Sequence, residues 1–353
     1  MRIALIQDHL RNGGTENQTL HIANGLAKSG LEAHAIIFRQ GGVLDEKAAS
    51  SDFTLHFLNQ GLLKTDWFAP GLDSLLKSLK AEAIIPMGRM ANCHAGLFSN
   101  QKRPYKVIAT LRTGKSIPFL QRRALRLADG LIANSHDAIE RIKRTYGIEN
   151  PKSSVIYNGC IRDTTSLQSV APRSIGKPVR LINASMFRPE KKQIRLLRIC
   201  SQLPAQIDWH LTLAGDGPQR DSCIQEADRL GLRNRIEFPG LLPNPTDLYQ
   251  SSHIAIHASS KESLPNFLVE AQSFGLPVVA YNVDGVGETF ENGKSGFLID
   301  HGKESQFVEK LQLLIESEDL RQLMSQAARE YAHRHFSPKA QISAYIDLLK
   351  QLI

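Results

Sequence analysis

Two glutamates eight positions apart, Glu262 and Glu270, are the residues whose types and spacing best suggest chemistry in this 353-residue chain. Glu262 lies in a short loop-like stretch, and Glu270 lies in the apolar, helix-like run 267–274. Strand-like segments precede and follow them at 254–258 and 277–281. In open α/β sheets, ligands bind where the carboxyl ends of strands lead into helices. We therefore expect a ligand site with one loop acid and one helix acid.

The same segment also has a purely structural interpretation. Asn266 could cap the helix and Glu270 could sit near its positive end, while Gly275 ends it and Pro277 stops its continuation. Glu262 would then be an ordinary loop acid. Caps and first-turn acids are common, so the spacing alone leaves both interpretations open.

Two further motifs favour phosphate chemistry. Arg188 and Lys191 follow the strand-like segment 179–184, where a guanidinium fork and an ammonium charge would suit a diphosphate, although a solvated, basic helix start would look the same. Gly13 and Gly14 follow the first strand and open a helix. Bare glycine lets the backbone approach a phosphate, and a helix N-terminus favours anions, but an ordinary tight turn remains an alternative.

The elements around these motifs alternate between strands and helices, which predicts parallel sheets with crossover helices. We predict strands at 3–6, 32–38, 83–86, 106–109, 130–133, 154–157, 179–184, 209–214, 236–238, 254–258 and 277–281, and a helical tail from about 304. The Ser-, Thr- and Pro-rich stretch 162–178 is the linker candidate. The predicted fold is α/β, with two Rossmann-like, doubly wound parallel-sheet domains, 1–165 and 166–353, whose carboxyl-end loops face one cleft.

Charge is distributed unevenly along the chain. Residues 1–165 hold 22 Lys and Arg against 14 Asp and Glu, whereas 166–353 hold 21 of each, and the net charge is +8. The excess predicts an anionic partner for the first half, such as a membrane surface, a nucleic acid or a phosphorylated substrate, unless it only makes the surface basic. The apolar runs are too short to cross a bilayer and the N-terminus lacks signal-peptide features, so we expect a cytoplasmic protein.

Metal and disulfide chemistry have little support in the sequence. The four cysteines, Cys93, Cys160, Cys200 and Cys223, are scattered, which is typical of buried thiols in a reducing compartment. His253 and His257 are four apart but lie in a strand-like run, where they would not share a helical face. We therefore expect no metal ligands.

Several short motifs occur in one order along the chain. They are Gly-Gly-Thr-Glu at 13–16, Ala-Asn-Ser at 133–135, Ile-Tyr-Asn-Gly at 156–159, Arg-Pro-Glu-Lys at 188–191, Gly-Asp-Gly-Pro at 215–218, Phe-Pro-Gly at 238–240 and Glu-x₇-Glu at 262–270. In this order the chain resembles the retaining nucleotide-sugar glycosyltransferases of the GT-B type in family four (glycosyl transferases group 1). The resemblance covers nearly the whole chain and is most specific over 180–300.

The resemblance implies a role for each motif. Glu270 would hold the ribose hydroxyls and Glu262 would face the donor sugar. Arg188 and Lys191 would neutralise the leaving diphosphate. The remaining donor-binding residues would be Gly13 and Gly14 from the first domain, Gly240 and Leu241 beside the base, and the segment Ser263, Leu264, Pro265, Asn266 and Phe267 along the sugar and diphosphate.

The leaving group is a nucleoside diphosphate, so negative charge develops on phosphate oxygens as the glycosidic bond breaks. Arg, Lys and the N–H groups of a helix terminus can stabilise that charge. No Asp-x-Asp metal motif is present, so we expect a metal-independent reaction without a cofactor and with UDP as the nucleotide. The resemblance also implies that the departing phosphate takes the acceptor proton.

The chain departs from the family pattern in two places. Met186 stands where the family has an arginine, and Arg188 would have to act from a shifted position. Arg112 stands in the segment where the family has a histidine, and it could face the donor sugar or an acidic acceptor, or be purely structural.

The predicted function is transfer of a hexose, with retention, to a glycan or lipid-linked acceptor in cell-surface polysaccharide or lipopolysaccharide synthesis. The basic segment 115–126 would form an amphipathic helix that suits an anionic membrane surface, although a plain surface helix is an open alternative. We expect no nucleic-acid partner. The rival functions are a nucleotide-sugar 2-epimerase of the same fold, a dinucleotide-dependent oxidoreductase, which the missing Gly-x-Gly-x-x-Gly disfavours, and a non-catalytic nucleotide or glycan binder.

Overall fold

The computed structural model describes residues 1–11, 13–58, 69–97, 102–161, 177–242 and 244–353. The chain divides into two compact units, Met1–Gly159 with Pro338–Ile353 (unit 1) and Cys160–Ser337 (unit 2). Of the predicted linker 162–178, all but the last two residues lie outside the described residues.

The described residues form two sets of strands and the helices between them. The strands are β1 (Arg2–His9), β2 (Glu32–Arg39), β3 (Thr54–Phe57), β4 (Ala83–Pro86), β5 (Lys106–Leu111), β6 (Gly130–Ala133), β7 (Ser153–Val155), β8 (Val179–Ala184), β9 (Trp209–Ala214), β10 (Ile236–Gly240), β11 (Ile254–His257), β12 (Val278–Tyr281) and β13 (Gly296–Ile299). The α-helices are α1 (Gly14–Lys28), α2 (Asp45–Ala49), α3 (Leu72–Ser78), α4 (Arg89–Leu97), α5 (Phe119–Leu127), α6 (His136–Tyr146), α7 (Gln193–Cys200), α8 (Arg220–Arg229), α9 (Thr246–Ser251), α10 (Asn266–Ser273), α11 (Glu304–Glu316), α12 (Glu318–His335) and α13 (Pro338–Leu352). Short 3-10 helices lie at Pro189–Lys191, Arg233–Arg235 and Asp284–Glu288.

Each unit is built on one parallel sheet. The strand order is β3-β2-β1-β4-β5-β6-β7 in unit 1 and β10-β9-β8-β11-β12-β13 in unit 2, and every paired strand runs parallel. The central strands are almost entirely apolar and buried, because helices cover both faces of such a sheet. The predicted α/β fold with two doubly wound parallel sheets is confirmed.

The two strands that the sequence did not reveal, β3 and β13, lie at sheet edges. Each has four residues, and none of those in β3 and only two of those in β13 are fully buried. Edge strands bury less apolar surface than central ones, so their sequences carry a weaker apolar run. The eleven predicted strands are all found, and no strand end shifts by more than three residues.

The last helix, α13, corrects the predicted domain boundary. The sequence placed all of 166–353 in one domain, whereas residues 338–353 group with unit 1. The apolar side chains of Ile342, Tyr345 and Leu349 are buried in the core that also contains Ile3 of β1. Gly25 of α1 allows this approach, since a Cβ there would lie 2.4 Å from Ile342. Helical periodicity marks an apolar face but does not say which sheet it covers.

The four cysteines are free thiols, and three of them are buried. Burial raises the pKa of Cys200 to about 12 and that of Cys223 to about 11. Within the described ranges, no helix is both long enough and apolar enough to cross a membrane.

Candidate active site

The two acids and the two cations predicted from the sequence follow neighbouring strands of unit 2. The strand order reverses between β8 and β11, so the chain leaves these adjacent strands toward opposite sides of the sheet. Such a switch point leaves a crevice at the carboxyl ends of the strands. The loop after β8 carries Arg188 and Lys191, and the loop after β11 carries Glu262 and leads into α10.

Glu262 forms the centre of this arrangement. Its Oε1 atom accepts a hydrogen bond from Lys191 Nζ at 2.6 Å and another from His257 Nε2 at 2.9 Å. The backbone N–H of Glu262 donates to Asp284 Oδ2 at 2.7 Å. Only 7% of Glu262 is exposed, so this loop acid is held in a buried network and is not a solvated surface residue.

Burial of the Glu262 carboxyl by itself would raise its pKa. The positive charge of Lys191 and the interactions with His257 outweigh that effect and lower the pKa from 4.5 to about 2. Glu262 is therefore a carboxylate at neutral pH. Because the folded-state pKa is depressed, this ionisation contributes stability above about pH 4.5 and the contribution is lost as the pH falls toward 2.

The loops that carry Lys191 and Glu262 are hydrogen-bonded to each other. The carbonyl oxygen of Glu190 accepts from Ser259 Oγ at 2.9 Å and from the Ser260 N–H at 2.8 Å. These bonds join the 3-10 helix Pro189–Lys191 to the start of the β11 loop. The ion pair between Lys191 and Glu262 thus rests on fixed backbone, which favours a preorganised site.

The helix α10 begins at Asn266, with Pro265 in the N-cap position and no side-chain capping bond. The structural interpretation that made Asn266 the cap is therefore wrong, because Asn266 already lies in the first turn. Ser263, Leu264 and Phe267 are buried around this start. The first N–H groups of a helix lack intrahelical acceptors, so this end of α10 suits an anion beside Lys191.

Glu270 lies on α10 and is half-buried. Its Oε2 atom accepts from the Tyr249 hydroxyl at 2.9 Å. Tyr249 is itself buried and stacks on Phe274 with ring centroids 5.2 Å apart and on Phe267 at 6.3 Å. The rigid ring of Tyr249 therefore orients the carboxylate of Glu270 from the α9 side.

The loops after β8 and β9 pack so closely that glycine is required between them. Gly215 has φ of 134°, and a Cβ there would lie 2.1 Å from the carbonyl oxygen of Ser185. Gly217, with φ of 143°, would place one 2.6 Å from the carbonyl oxygen of Phe187. The motif Gly-Asp-Gly-Pro thus shapes the β8 loop. Arg188 is exposed there, and no hydrogen bond or ion pair to its side chain is found in the part of the chain that the structure describes.

The predicted base-binding residues lie at the end of β10. Gly240 pairs with Ala214 of β9. It has no side chain, and no atom lies within 4 Å of where its Cβ would be. Leu241, which follows it, is 52% exposed. An open backbone beside an exposed apolar side chain is compatible with a flat base, and this role stays a prediction.

In unit 1 the glycine pair has the predicted place between β1 and α1. Gly13 is the N-cap residue of α1 in an extended conformation, and Gly14 is the first helical residue. The Gly13 carbonyl oxygen accepts from the N–H and the side-chain amide of Asn17, both at 3.0 Å. The Glu16 carboxylate lies against Gly13, since a Cβ there would be 2.4 Å from Glu16 Oε2, and the approach of a phosphate to this helix start stays a prediction.

Arg112 is held by side chains of its own unit. Its guanidinium donates to Tyr345 Oη at 3.3 Å, to Gln18 Oε1 at 3.4 Å and to Asn158 Oδ1. Gln341 Nε2 donates to the same Gln18 oxygen at 2.8 Å. Arg112 thus joins α1, the segment after β7 and α13, an arrangement that favours the structural interpretation over a donor- or acceptor-facing role.

We expect Arg112→Met to lower the melting temperature by several degrees, because three buried acceptors in unit 1 would lose a charged donor, at about 1–3 kcal/mol. Differential scanning fluorimetry measures the shift. Arg144→Met, which removes an exposed cation from α6 of the same unit, is the control. An unchanged melting temperature together with a raised KM for the acceptor would contradict the structural role.

Three residues of the site were missed by the sequence analysis. His257 was considered only as a metal ligand. A polar residue that ends a buried strand just before a loop with an acid could also have indicated a residue of the ligand site. Asp284 follows β12 and has φ of 46°. The Asp-Gly pair after a strand predicts a turn, and this turn could have marked Asp284 as a candidate site residue. Tyr249 carried no signal. In the described part of the chain, no three His, Cys, Asp or Glu side chains are grouped to hold a metal ion.

Two family models match the chain, and together they cover most of it. The model described as Glycosyl transferases group 1 matches residues 168–331, and the one described as Glycosyltransferase Family 4 matches 12–163. The lipopolysaccharide core biosynthesis glycosyltransferase LpsE of Rhizobium meliloti (strain 1021) is 24% identical over 346 residues, 96% of each protein. The N-acetyl-alpha-D-glucosaminyl L-malate synthase of Bacillus anthracis is 27% identical over 246 residues, which are 67% of this chain and 64% of that protein.

Solved structures share the fold over the whole chain. Alr3699/HepE of Anabaena, crystallised in complex with UDP, has a TM-score of 0.83 at 21% identity, covering 99% of this chain and 100% of its own. The lipopolysaccharide outer core galactosyltransferase WaaB in its apo form has a TM-score of 0.78 at 18% identity and covers all of both chains.

The two units with Rossmann-like parallel sheets have the GT-B fold, which the solved structures share. The chain belongs to family four of the glycosyltransferases, the glycosyl transferases group 1, as the family models and the relatives show.

Proposed function

We propose that this glycosyltransferase moves a hexose from UDP, with retention and without a metal ion, to a glycan or lipid-linked acceptor. The observation that carries the proposal is the buried contact of Lys191 with Glu262 beside the N-terminus of α10. It places a cation, helix N–H groups and an ionised acid within one crevice of unit 2. The cation and the N–H groups suit the diphosphate of a nucleotide sugar, and the acid suits the hydroxyls of its sugar.

In the proposed reaction the bond between the sugar anomeric carbon and the diphosphate oxygen breaks. Lys191 and the first N–H groups of α10 stabilise the charge that develops on the phosphate, and Arg188 adds its exposed guanidinium. Glu262 accepts hydrogen bonds from the sugar and orients it. The acceptor oxygen bonds to the anomeric carbon on the face that the diphosphate leaves, and its proton passes to the departing phosphate oxygen.

The nucleotide would be held by unit 2 and the acceptor by unit 1. Glu270, oriented by Tyr249, would accept from the two ribose hydroxyls, and Gly240 with Leu241 would flank the base. UDP is the proposed nucleotide because Alr3699/HepE was crystallised with UDP and with UDP-glucose. LpsE and the Vi polysaccharide biosynthesis protein VipC/TviE of Salmonella typhi support an acceptor in lipopolysaccharide or cell-surface polysaccharide synthesis.

A panel of nucleotide sugars, screened by thermal stabilisation and then by donor turnover with and without EDTA, tests this function. UDP-hexoses should raise the melting temperature and be hydrolysed slowly without an acceptor, with no effect of EDTA. Release of a 2-epimer of the sugar would instead show an epimerase. Stabilisation without any turnover across acceptor extracts would show a non-catalytic binder.

We also propose that unit 1 docks on the anionic, cytoplasmic face of a membrane through α5. Phe119 at the start of this helix is 66% exposed, and Arg126 on the same helix is exposed. Arg122 is partly engaged, since its guanidinium lies 5.1 Å from the centre of the Tyr146 ring. An exposed aromatic ring beside cations favours the interface of an anionic bilayer.

Changing Arg122, Arg123 and Arg126 together to serine should weaken sedimentation with phosphatidylserine vesicles about 10- to 100-fold, at ~1 kcal/mol for each cation near the surface. The control removes three exposed lysines elsewhere in unit 1, Lys28, Lys77 and Lys152, and so has the same net charge. Equal loss in both variants, or no binding by the parent protein, would remove the docking role of α5.

A further inference from the structure

His257 is a buried polar residue at the carboxyl end of β11, and the proposed reaction gives it no part. Only 2% of it is exposed. Its Nε2 atom lies 2.9 Å from Glu262 Oε1, the atom that also binds Lys191. A histidine ring nitrogen either donates or accepts, and what the contact does depends on which nitrogen carries the proton.

The partner of the other ring nitrogen decides that question. Asn183 Nδ2 donates to the carbonyl oxygen of Ile256 at 2.9 Å, and the same Nδ2 lies 3.3 Å from His257 Nδ1. An amide nitrogen only donates, so His257 Nδ1 must accept. The proton of the neutral ring is then on Nε2, which donates it to Glu262.

The orientation of Asn183 is fixed from the opposite side. Its Oδ1 atom accepts from Ser185 Oγ at 2.9 Å, and Gln193 Nε2 donates to Ser185 Oγ at 3.0 Å and to the Met186 carbonyl oxygen at 3.1 Å. Gln193 and Asn183 are both buried. The donors therefore run in one direction, from Gln193 through Ser185, Asn183 and His257 to Glu262.

Two donors thus converge on one oxygen of Glu262. Oε1 takes both Lys191 and His257, and no donor to Oε2 is found among the residues that the structure describes. The ionised carboxylate has acceptor sites on both oxygens. Oε2 is then the atom left to accept from a ligand hydroxyl, and the two donors on Oε1 fix the direction in which it points.

We propose that His257, held by Asn183, is a positioning residue for Glu262 in sugar transfer. This inference rests on the proposed function and adds the residue that orients Glu262, the acid that faces the sugar. His257 donates to Oε1 beside the Lys191 ammonium, and both donors favour the ionised form of Glu262. Because His257 shares Oε1, the carboxylate does not swing to bind Lys191 with both oxygens, and the ammonium group keeps N–H donors for the diphosphate.

Two substitutions separate this role from packing. Glutamine places an amide nitrogen near the position of His257 Nε2, whereas leucine fills a similar volume without a donor. We expect His257→Leu to lower kcat at least about 10-fold with the donor KM changed less than about three-fold, and His257→Gln to keep at least about half of kcat. Equal losses of kcat in the two variants, or parent kcat in His257→Leu, would overturn the inference.

His253→Asn, at the residue that directly precedes β11, is the matched control. His253 Nδ1 accepts from the Arg180 N–H at 2.9 Å, a role that asparagine can replace, and the Glu262 side chain accepts from Lys191 and His257 and not from His253. This variant should keep the parent kcat. A loss as large as that of His257→Leu would show that any change of a histidine at either end of β11 disturbs the site, and would overturn the assignment to His257.

The tautomer is measured on the parent protein, so this experiment does not depend on transfer activity, and the folded His257→Gln variant serves only to assign the signals. In ¹⁵N-histidine NMR spectra, with the His257 signals identified by their loss in His257→Gln, Nε2 should be protonated and Nδ1 should be of the unprotonated type. The opposite tautomer would overturn the inference. A protein that shows the expected tautomer but transfers no sugar would refute the proposed function and leave the hydrogen-bond path to Glu262 intact.

Discussion

Glu262→Ala is expected to lower the rate of sugar transfer by about 10²- to 10³-fold, the size of effect seen when one preorganised polar group is removed from an active site. The carboxylate holds Oε2 toward the ligand and anchors Lys191 at 2.6 Å. Without it the sugar loses its acceptor, and the Lys191 ammonium is left without its partner in a poorly hydrated place. Both changes act on the reacting end of the donor, so UDP itself should still bind.

Steady-state transfer and calorimetric titration with UDP measure the two effects separately. Glu262→Gln is the companion variant, since it keeps the volume but presents an amide to Lys191 and His257, and we expect a similar loss of kcat. Glu309→Ala, on the exposed side of α11, removes one acid outside the site and should transfer sugar at the parent rate. Parent kcat in both Glu262 variants would show that the sugar-facing acid lies elsewhere.

Glu270→Ala is expected to weaken UDP binding by about 10- to 100-fold, since hydrogen bonds to a charged group contribute about 1.5–3 kcal/mol. The substitution removes the proposed acceptor of the ribose hydroxyls and leaves the buried Tyr249 hydroxyl without the acceptor it has at 2.9 Å. In transfer assays the donor KM should rise, with a smaller change in kcat once the donor is saturating.

Tyr249→Phe separates the orientation of Glu270 from its presence. The ring and its stacking on Phe274 are kept, but the hydroxyl that orients the carboxylate is lost, so we expect only a two- to five-fold weaker Kd for UDP, about 0.5–1 kcal/mol. Calorimetric titration of uridine beside UDP shows whether the loss follows the nucleoside. If Glu270→Ala binds UDP as the parent does, the assignment of Glu270 to the ribose is wrong.

The Glu262–Glu270 segment shows which features of a site the local sequence predicts and which it does not. Glu262 and Glu270 were recognised from a strand, a loop, an apolar helix and a glycine stop, because these signals depend on residues within a few positions of each other. Gly275 ends α10 with φ of 82° as that pattern predicts. The same signals wrongly made Asn266 the cap, since Pro265 takes that position and helix ends are set by backbone conformation that several sequences satisfy.

What the sequence determined by itself is the alternation of strands and helices, the two-sheet fold class and the order of the chemical motifs. These follow from periodicity and from glycine and proline, which act over one or two turns of chain. The tertiary structure decided which distant groups meet. Lys191 and Glu262 are 71 residues apart, and they touch only because β8 and β11 are neighbours at the switch point.

The same reason explains the remaining findings. Asn183 fixes the tautomer of His257 across 74 residues, and Arg112 reaches Tyr345 across 233 because α13 returns to unit 1. A contact of this kind depends on strand order and on which sheet a helix covers. Neither property can be predicted from the local pattern of apolar and polar residues, since an apolar face can pack on any sheet that presents a complementary surface.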